Sequence, residues 1–220
     1  MALAIFDLDN TLIAGDSDHA WGEFIARNGL VDAATYTKRN DWFYQQYQSG
    51  VLDIRAYLEF ALEPLAGKTE KDLAELHRQF MTESIEPLRL TAADALLDRH
   101  RANGDYILIV TSTNAFITRP IARWLGVDDI LATIPERVDG VYTGKVDGVP
   151  CFGAGKITHL DHWMQTHEYD LTESCFYSDS INDLPLLEYV GHAVAVDPDE
   201  QLAQVASDRG WTKISLRHNS

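Results

Sequence analysis

The chain has 220 residues, 45% of them apolar, which suffices for one large domain or for a core domain with a small insert. Its 34 acidic and 18 basic residues give a formal charge of −16. Such a surface disfavours a general nucleic-acid or anionic-membrane binder, yet a locally positive site can still take a small anionic substrate. The two cysteines, Cys151 and Cys175, lack CxxC spacing and read as reduced thiols packed as small apolar groups. The N-terminus has no basic n-region, and no apolar stretch approaches the ~20 residues of a membrane helix. A cytoplasmic protein is expected, either monomer or homodimer.

Leu3 to Leu8 is a short apolar run broken by charge, the pattern of a buried strand. Ser17 is placed to cap a helix that ends before Gly29. Helical patterns continue through Asp32–Tyr47, Asp53–Leu62 and Thr69–Ser84, with Thr69 and Asp72 forming a capping-box pair. No strand pattern occurs between Gly15 and Ile85, so this stretch reads as a helical insert. Thr91–Asn103 then predicts a helix stopped by Gly104, and Tyr106–Val110 a strand. Ala115–Leu125 predicts a helix that kinks, or starts late, at Pro120. A strand is expected within Val127–Ile134, and a hairpin over Val138–Gly148, bounded by Asp139-Gly140 and Asp147-Gly148. Helix at Ile157–Thr166, strand at Cys175–Ser178, helix at Asn182–Tyr189, strand at Ala193–Val196, helix at Glu200–Ser207 and strand at Trp211–Ile214 complete the series. Alternating strands and helices predict an α/β fold with a parallel sheet, whose ligands bind beyond the carboxyl ends of the strands.

Charge and hydroxyl groups concentrate at those ends. Asp7 and Asp9 follow the first strand at i and i+2, on one side of an extended chain. They serve either as turn residues or as a pair whose repulsion a cation or shared proton relieves. Asp179 ends a later strand, and Asp183 opens the following helix, where Ser180 or Asn182 also suit an N-cap. Two acidic strand ends in one sheet suit Mg²⁺, which prefers oxygen ligands and keeps waters for a phosphate. Thr111-Ser112-Thr113-Asn114 follows a third strand with hydroxyls and N–H groups that fit a phosphoryl group. Lys156 follows Gly153-Ala154-Gly155 but is no Walker A lysine, because Pro150 stands at the first glycine position and Ile157 at the Ser/Thr position. His159 and His162 lie one turn apart on a helix without an evident third metal ligand.

Taken together in this order, DxDxT at 7–11, Thr111, Lys156 and Asp179-x-x-x-Asp183 resemble the four motifs of the haloacid dehalogenase superfamily of phosphohydrolases. The resemblance implies a Rossmann-like core over residues 1–13 and 86–220, with residues 14–85 as an inserted helical C1 cap. It is most similar to the phosphoserine-phosphatase-like branch, subfamily IB. The resemblance makes Asp7 the nucleophile, Asp9 the general acid/base, Thr111 and the Ser112 N–H phosphate ligands, and Lys156 the motif-three lysine. It also places Mg²⁺ among Asp7, Asp9, Asp179 and Asp183. Asp7, the Asp9 backbone carbonyl and Asp179 would bind the ion, while Asp183 would orient a metal-bound water or Lys156. A second acid at position 9 is the mark of the phosphatases rather than the dehalogenases.

In the phosphoserine phosphatases a Glu after the first motif holds the substrate ammonium. By spacing its counterpart is Asp16, with Asp18 close by, although an acid at a helix start also complements the dipole. The cap arginine that those enzymes use for the serine carboxylate is missing at Glu59 to Ala61, and Arg55 is the nearest. An amine without a carboxylate fits L-histidinol phosphate, and some proteobacterial members similar over the whole chain are histidinol phosphatases. Phosphoserine is the alternative substrate. The insert holds ten aromatic residues, among them Trp21, Trp42, Tyr44 and Tyr47, suited either to stacking on an imidazole or to core. A signalling receiver domain would be shorter and lack the insert and the late acidic pair. A non-catalytic phosphate-binding protein would not need both Asp7 and Asp9. A phosphotransferase would share every motif.

Overall fold

The computed structural model describes residues 2–217. Residue 1 and residues 218–220, the outer ends of the two expected core segments, lie outside the described residues. β1 (Leu3–Phe6) is buried at all four positions and carries no polar side chain, which suits the middle of a sheet covered on both faces. The other strands are β2 (Tyr106–Asn114), β3 (Asp129–Val138), β4 (Val141–Asp147), β5 (Cys175–Ser178), β6 (His192–Val196) and β7 (Thr212–Ile214). They form one sheet in the order β4-β3-β2-β1-β5-β6-β7. Every pair is parallel except β3 with β4, which is antiparallel at one edge.

Side chains alternate across this sheet with the period of two that extended chains impose. Ala4, Phe6, Ile107 and Ile109 belong to one core layer, Leu3, Ile5, Leu108 and Val110 to the other. Each fully buried Leu, Ile, Val or Phe contributes about 1.5–3 kcal/mol, so these two strands anchor the fold around the site they lead into.

The insert comprises α1 (Ser17–Arg27), α2 (Ala33–Gln48), α3 (Ile54–Leu62) and α4 (Glu70–Phe80), followed by a π-helical turn at Met81–Ile85 and a 3₁₀ turn at Glu86–Leu88. Thr69 and Asp72 make both bonds of a capping box at the start of α4. The chain leaves and re-enters the core side by side, where the Ala14 N–H donates to the Leu88 carbonyl at 2.8 Å. A second brace joins the insert to the β3–β4 hairpin, through Gly67 N–H to Tyr142 O and Tyr142 N–H to Lys68 O, both 2.9 Å. Trp21, Phe24 and Phe80, and likewise Tyr36, Phe43 and Phe60, are buried ring clusters and thus core.

α5 (Thr91–Asn103), α6 (Ala115–Leu125), α7 (Ala154–Met164), α8 (Leu184–Leu187) and α9 (Glu200–Arg209) complete the chain. Gly104 ends α5 at φ 75°, a left-handed position that favours glycine. No helix among the described residues is long and apolar enough to cross a membrane.

Several local expectations need correction. Asp16, not Ser17, caps α1: its backbone is extended and its carboxylate accepts the His19 N–H at 2.8 Å. Pro120 neither delays nor ends α6, which starts at Ala115 after the Asn114 cap. Burial of Ile117 and Ile121 on either side of Pro120 offsets the bond that proline forgoes. β2 runs on to Asn114, and β3 extends to Val138. The hairpin therefore turns once, at Asp139-Gly140, with φ values of 51° and 81°, while Asp147 merely ends β4. The helix expected at Asn182–Tyr189 is a 3₁₀ turn, Ile181–Asp183, followed by the single turn of α8.

Candidate active site

Beyond Phe6, Asp7 stays in register for one more residue, its N–H donating to Tyr177 O at 2.8 Å. It therefore stands at the carboxyl edge of the central strand, beside the end of β5. Lys156, in the first turn of α7, donates to Asp7 at 2.8 Å and to Asp183 at 2.7 Å. That lysine is 1% exposed. Burial alone would push its ammonium down, but Asp183 and Asp7 reverse this and hold it above the usual lysine value. Ser178 Oγ, at the end of β5, donates to Asp183 at 2.8 Å. Asp183 thus has its carboxylate committed to Lys156 and Ser178.

Asp7 has its second oxygen, Oδ2, buried and without a hydrogen-bond partner. Its carboxyl is pushed up to about 7, mainly by burial, with Lys156 opposing and Asp183 and Asp9 adding to the rise. Burial and the charges of Asp7 and Asp183 also lift Asp179 well above the usual carboxylate range. Thr11 ties Asp179 to the first motif: its hydroxyl donates to Asp179 Oδ1 and accepts the Asp179 N–H, both at 3.1 Å. An orphaned carboxylate oxygen beside a second uncompensated carboxylate is a fit for a hard cation. Among the described residues no three His, Cys, Asp or Glu side chains close into a metal cage. Mg²⁺ ordinarily takes one or two carboxylates and completes its shell with water and phosphate oxygens, so Asp7 and Asp179 are the residues that could hold it.

Asp9 has both carboxylate oxygens occupied. One accepts the Ser17 N–H at 2.7 Å and the other the Thr113 hydroxyl at 2.8 Å. Burial, followed by the charge of Asp16, pushes it up to about 7, close to the pH at which a general acid/base works best. Thr111 is buried, and its hydroxyl accepts the Thr113 N–H at 3.2 Å. Ser112 lines the same space half-buried.

The insert forms the roof. Asp16 and Asp18 both line the cavity, pushed up by burial to about 6 and about 7. Asp18 is 7% exposed and receives the Tyr57 hydroxyl. His19 bonds Asp41 at 2.9 Å and stacks on Tyr44 at 4.6 Å. Asn182 joins floor to roof by donating to Tyr47 O at 3.1 Å. Among the described residues, neither lysine nor arginine lines the cavity. Arg55 instead lines a different cleft, with Glu59 and Lys145. The space enclosed is about 40 Å³, room for ~3 waters.

The fold thus brings Asp7, Asp9, Thr111, Ser112, Lys156, Asp179 and Asp183 around one point, with Asp16 and Asp18 across from them. Thr113 and Tyr47, named above within the hydroxyl run and among the insert aromatics, join them, as does the cap candidate Asn182. Ser178 and Tyr57 join them unanticipated. Ser178 adjoins a motif already singled out, which was a usable signal, while Tyr57 had none beyond aromatic composition.

A family model for haloacid dehalogenase-like hydrolases matches residues 4–188. A histidinol-phosphatase of Neisseria meningitidis is 45% identical over 219 residues, 98% of this chain and 99% of that protein. A crystal structure of a Bordetella pertussis protein of unknown function superposes with a TM-score of 0.91 at 42% identity, covering 98% of both chains. A phosphoserine phosphatase solved as a phospho-aspartyl intermediate analogue has a TM-score of 0.71 over 100% of this chain and 94% of its own, and at 17% identity it shows the shared fold.

Proposed function

The chain belongs to the haloacid dehalogenase-like hydrolases and is a phosphomonoester hydrolase of that type. On that footing we propose that it hydrolyses a small amine-bearing phosphate ester, L-histidinol phosphate, through an aspartyl-phosphate on Asp7. The observation that carries this choice is the roof: Asp16 and Asp18 line it with His19 and tyrosine rings, and among the described residues no lysine or arginine joins them. Acids there attract an ammonium, and rings accommodate a flat heterocycle. Phosphoserine would bring a carboxylate to the same acids with no guanidinium to receive it, so it is the weaker reading. The histidinol-phosphatase similar over nearly the full chain supports the same substrate.

In this reading residues 14–85 are the cap and residues 1–13 and 86–220 the core. Asp7 attacks phosphorus in line, and the bond from phosphorus to the ester oxygen breaks. Asp9 gives its proton to the departing alkoxide. It then takes one from the water that attacks the same phosphorus and releases Asp7 with inorganic phosphate. Thr111 and the Ser112 N–H hold phosphate oxygens. Lys156 offsets the repulsion between the Asp7 carboxylate and the anionic ester, and Asp183 with Ser178 fixes its position. Mg²⁺, held by Asp7 Oδ2, the Asp9 carbonyl and Asp179, would neutralise phosphoryl charge when bound. The cavity, about 40 Å³, is narrow for a phosphate ester, so substrate entry calls for movement of the cap.

The test is phosphate release with Mg²⁺, comparing kcat/KM for L-histidinol phosphate, L-phosphoserine and an aryl phosphate. A strong preference for the first is expected. A preference for phosphoserine overturns the substrate assignment. Transfer of the phosphoryl group to an added alcohol in place of water would make the protein a phosphotransferase.

A further inference from the structure

A second cleft, of about 660 Å³, lies where the insert meets the core. One wall is α4 and the π-helical turn after it, contributing His77, Arg78 and Met81. The facing wall is α6, contributing Phe116, Arg119 and Arg123, with Arg137 of β3 beside them. No residue that lines this cleft also lines the active-site cavity.

Its charge runs against that of the whole molecule. In a chain of net charge −16, four arginines converge here with only Glu70 and Glu86 as acids on the walls. Arg137 is paired with Glu70, and Arg78 with Glu75. Arg119 and Arg123 have no carboxylate partner among the described residues. They are four apart on α6, so their guanidinium groups share one face and repel. His77, which is 7% exposed, closes the back of the cleft, its ring packed edge-on against Phe116 with centroids 5.1 Å apart.

We propose that this cleft is a second ligand site, for a small organic carboxylate whose head engages Arg119 and Arg123 and whose apolar body lies against Met81 and Phe116. Guanidinium forks match a carboxylate bidentately. Glu70 and Glu86 leave a surplus of positive charge suited to one or two carboxylates rather than to a polyphosphate. A ligand seated here touches insert and core together. The insert wall leads through the π-turn to the junction at Leu88, and α6 begins directly after the Thr113-Asn114 pair, whose threonine bonds Asp9. Occupancy therefore restrains cap movement and slows turnover. This rests on the junction and its charges, not on the identity of the substrate.

The probe is 1-naphthoate, titrated by calorimetry into the full-length protein with Mg²⁺ and saturating inorganic phosphate, which fills the catalytic centre. Saturable binding is expected in wild type, with none for the uncharged 1-naphthalenemethanol. The exposed pair change R119A/R123A should weaken naphthoate binding about tenfold or more, because both charged donors to its head are removed. Its melting temperature and its basal activity on an aryl phosphate should be unchanged. Naphthoate should lower kcat of the wild type and leave that of R119A/R123A unaffected. No saturable binding, equal affinity in R119A/R123A, or equal inhibition of both proteins overturns the proposal.

Discussion

The floor and the roof of the cavity handle buried charge in opposite ways. On the floor, two of the acids, Asp7 and Asp183, share Lys156, and Ser178 completes the set. On the roof, Asp18 is buried and Asp16 half-buried, and a helix N-terminus and a tyrosine hydroxyl receive them, with neither lysine nor arginine on the wall among the described residues. In the proposed function the lysine-bearing floor takes the phosphoryl group and the roof is completed by what the substrate brings, which would put reaction type and substrate choice in different parts of the chain.

The comparison breaks most severely at its centre. Asp7→Asn should lower kcat by about 10⁴-fold or more while far-UV circular dichroism is unchanged, because the proposed nucleophile is removed and its shape kept. Full activity in the purified variant would end the aspartyl-phosphate mechanism. Lys156→Met leaves two buried carboxylates facing each other, so urea titration should show a loss of about 3–5 kcal/mol, together with loss of activity. A stability equal to wild type would mean that the floor is not held by this pair.

The roof should respond more gently and more selectively. Asp18→Asn keeps the shape, and Asp16→Asn keeps a good N-cap, so neither should unfold α1. Each should raise KM for an amine-bearing ester about tenfold or more and leave an aryl phosphate nearly unaffected. Equal effects on both substrates would remove these acids from recognition.

The smallest effect is one of pH. The roof acids rise to about 6 and about 7 in the folded protein, from 3.8 in an exposed chain. Between those values the folded state holds protons that the unfolded chain has lost. Their contribution to stability therefore falls as pH rises from about 4 to about 7. Calorimetry should show a lower Tm at pH 8 than at pH 5.5, by roughly 2–4 °C for each kcal/mol. D16N/D18N should flatten that slope, and an unchanged slope would show that these two groups do not carry it.

Much of the floor is legible in the amino-acid sequence. Acids at positions 7, 9, 179 and 183 follow apolar strand runs, and a parallel sheet presents such positions on one edge. Strand length and caps are less legible. Asp16 and Ser17 are both capping residues by type, and only the backbone dihedrals separate the cap from the first helical residue. Pro120 suggests a late start to α6, which the Asn114 cap and the packing of Ile117 and Ile121 override.

By itself the sequence determined the α/β order, the helical insert and the residue types that meet at the strand ends, because hydrophobic period and turn chemistry are local. Tertiary structure alone decided which donors occupy each carboxylate, that Thr11 links Asp179 to the first motif, and that Arg55 lines another cleft. It also decided that four arginines from three separate elements, α4, α6 and β3, share one junction. Those outcomes depend on distances between segments tens of residues apart, and local pattern carries no information about a distance that only the packed sheet and insert define.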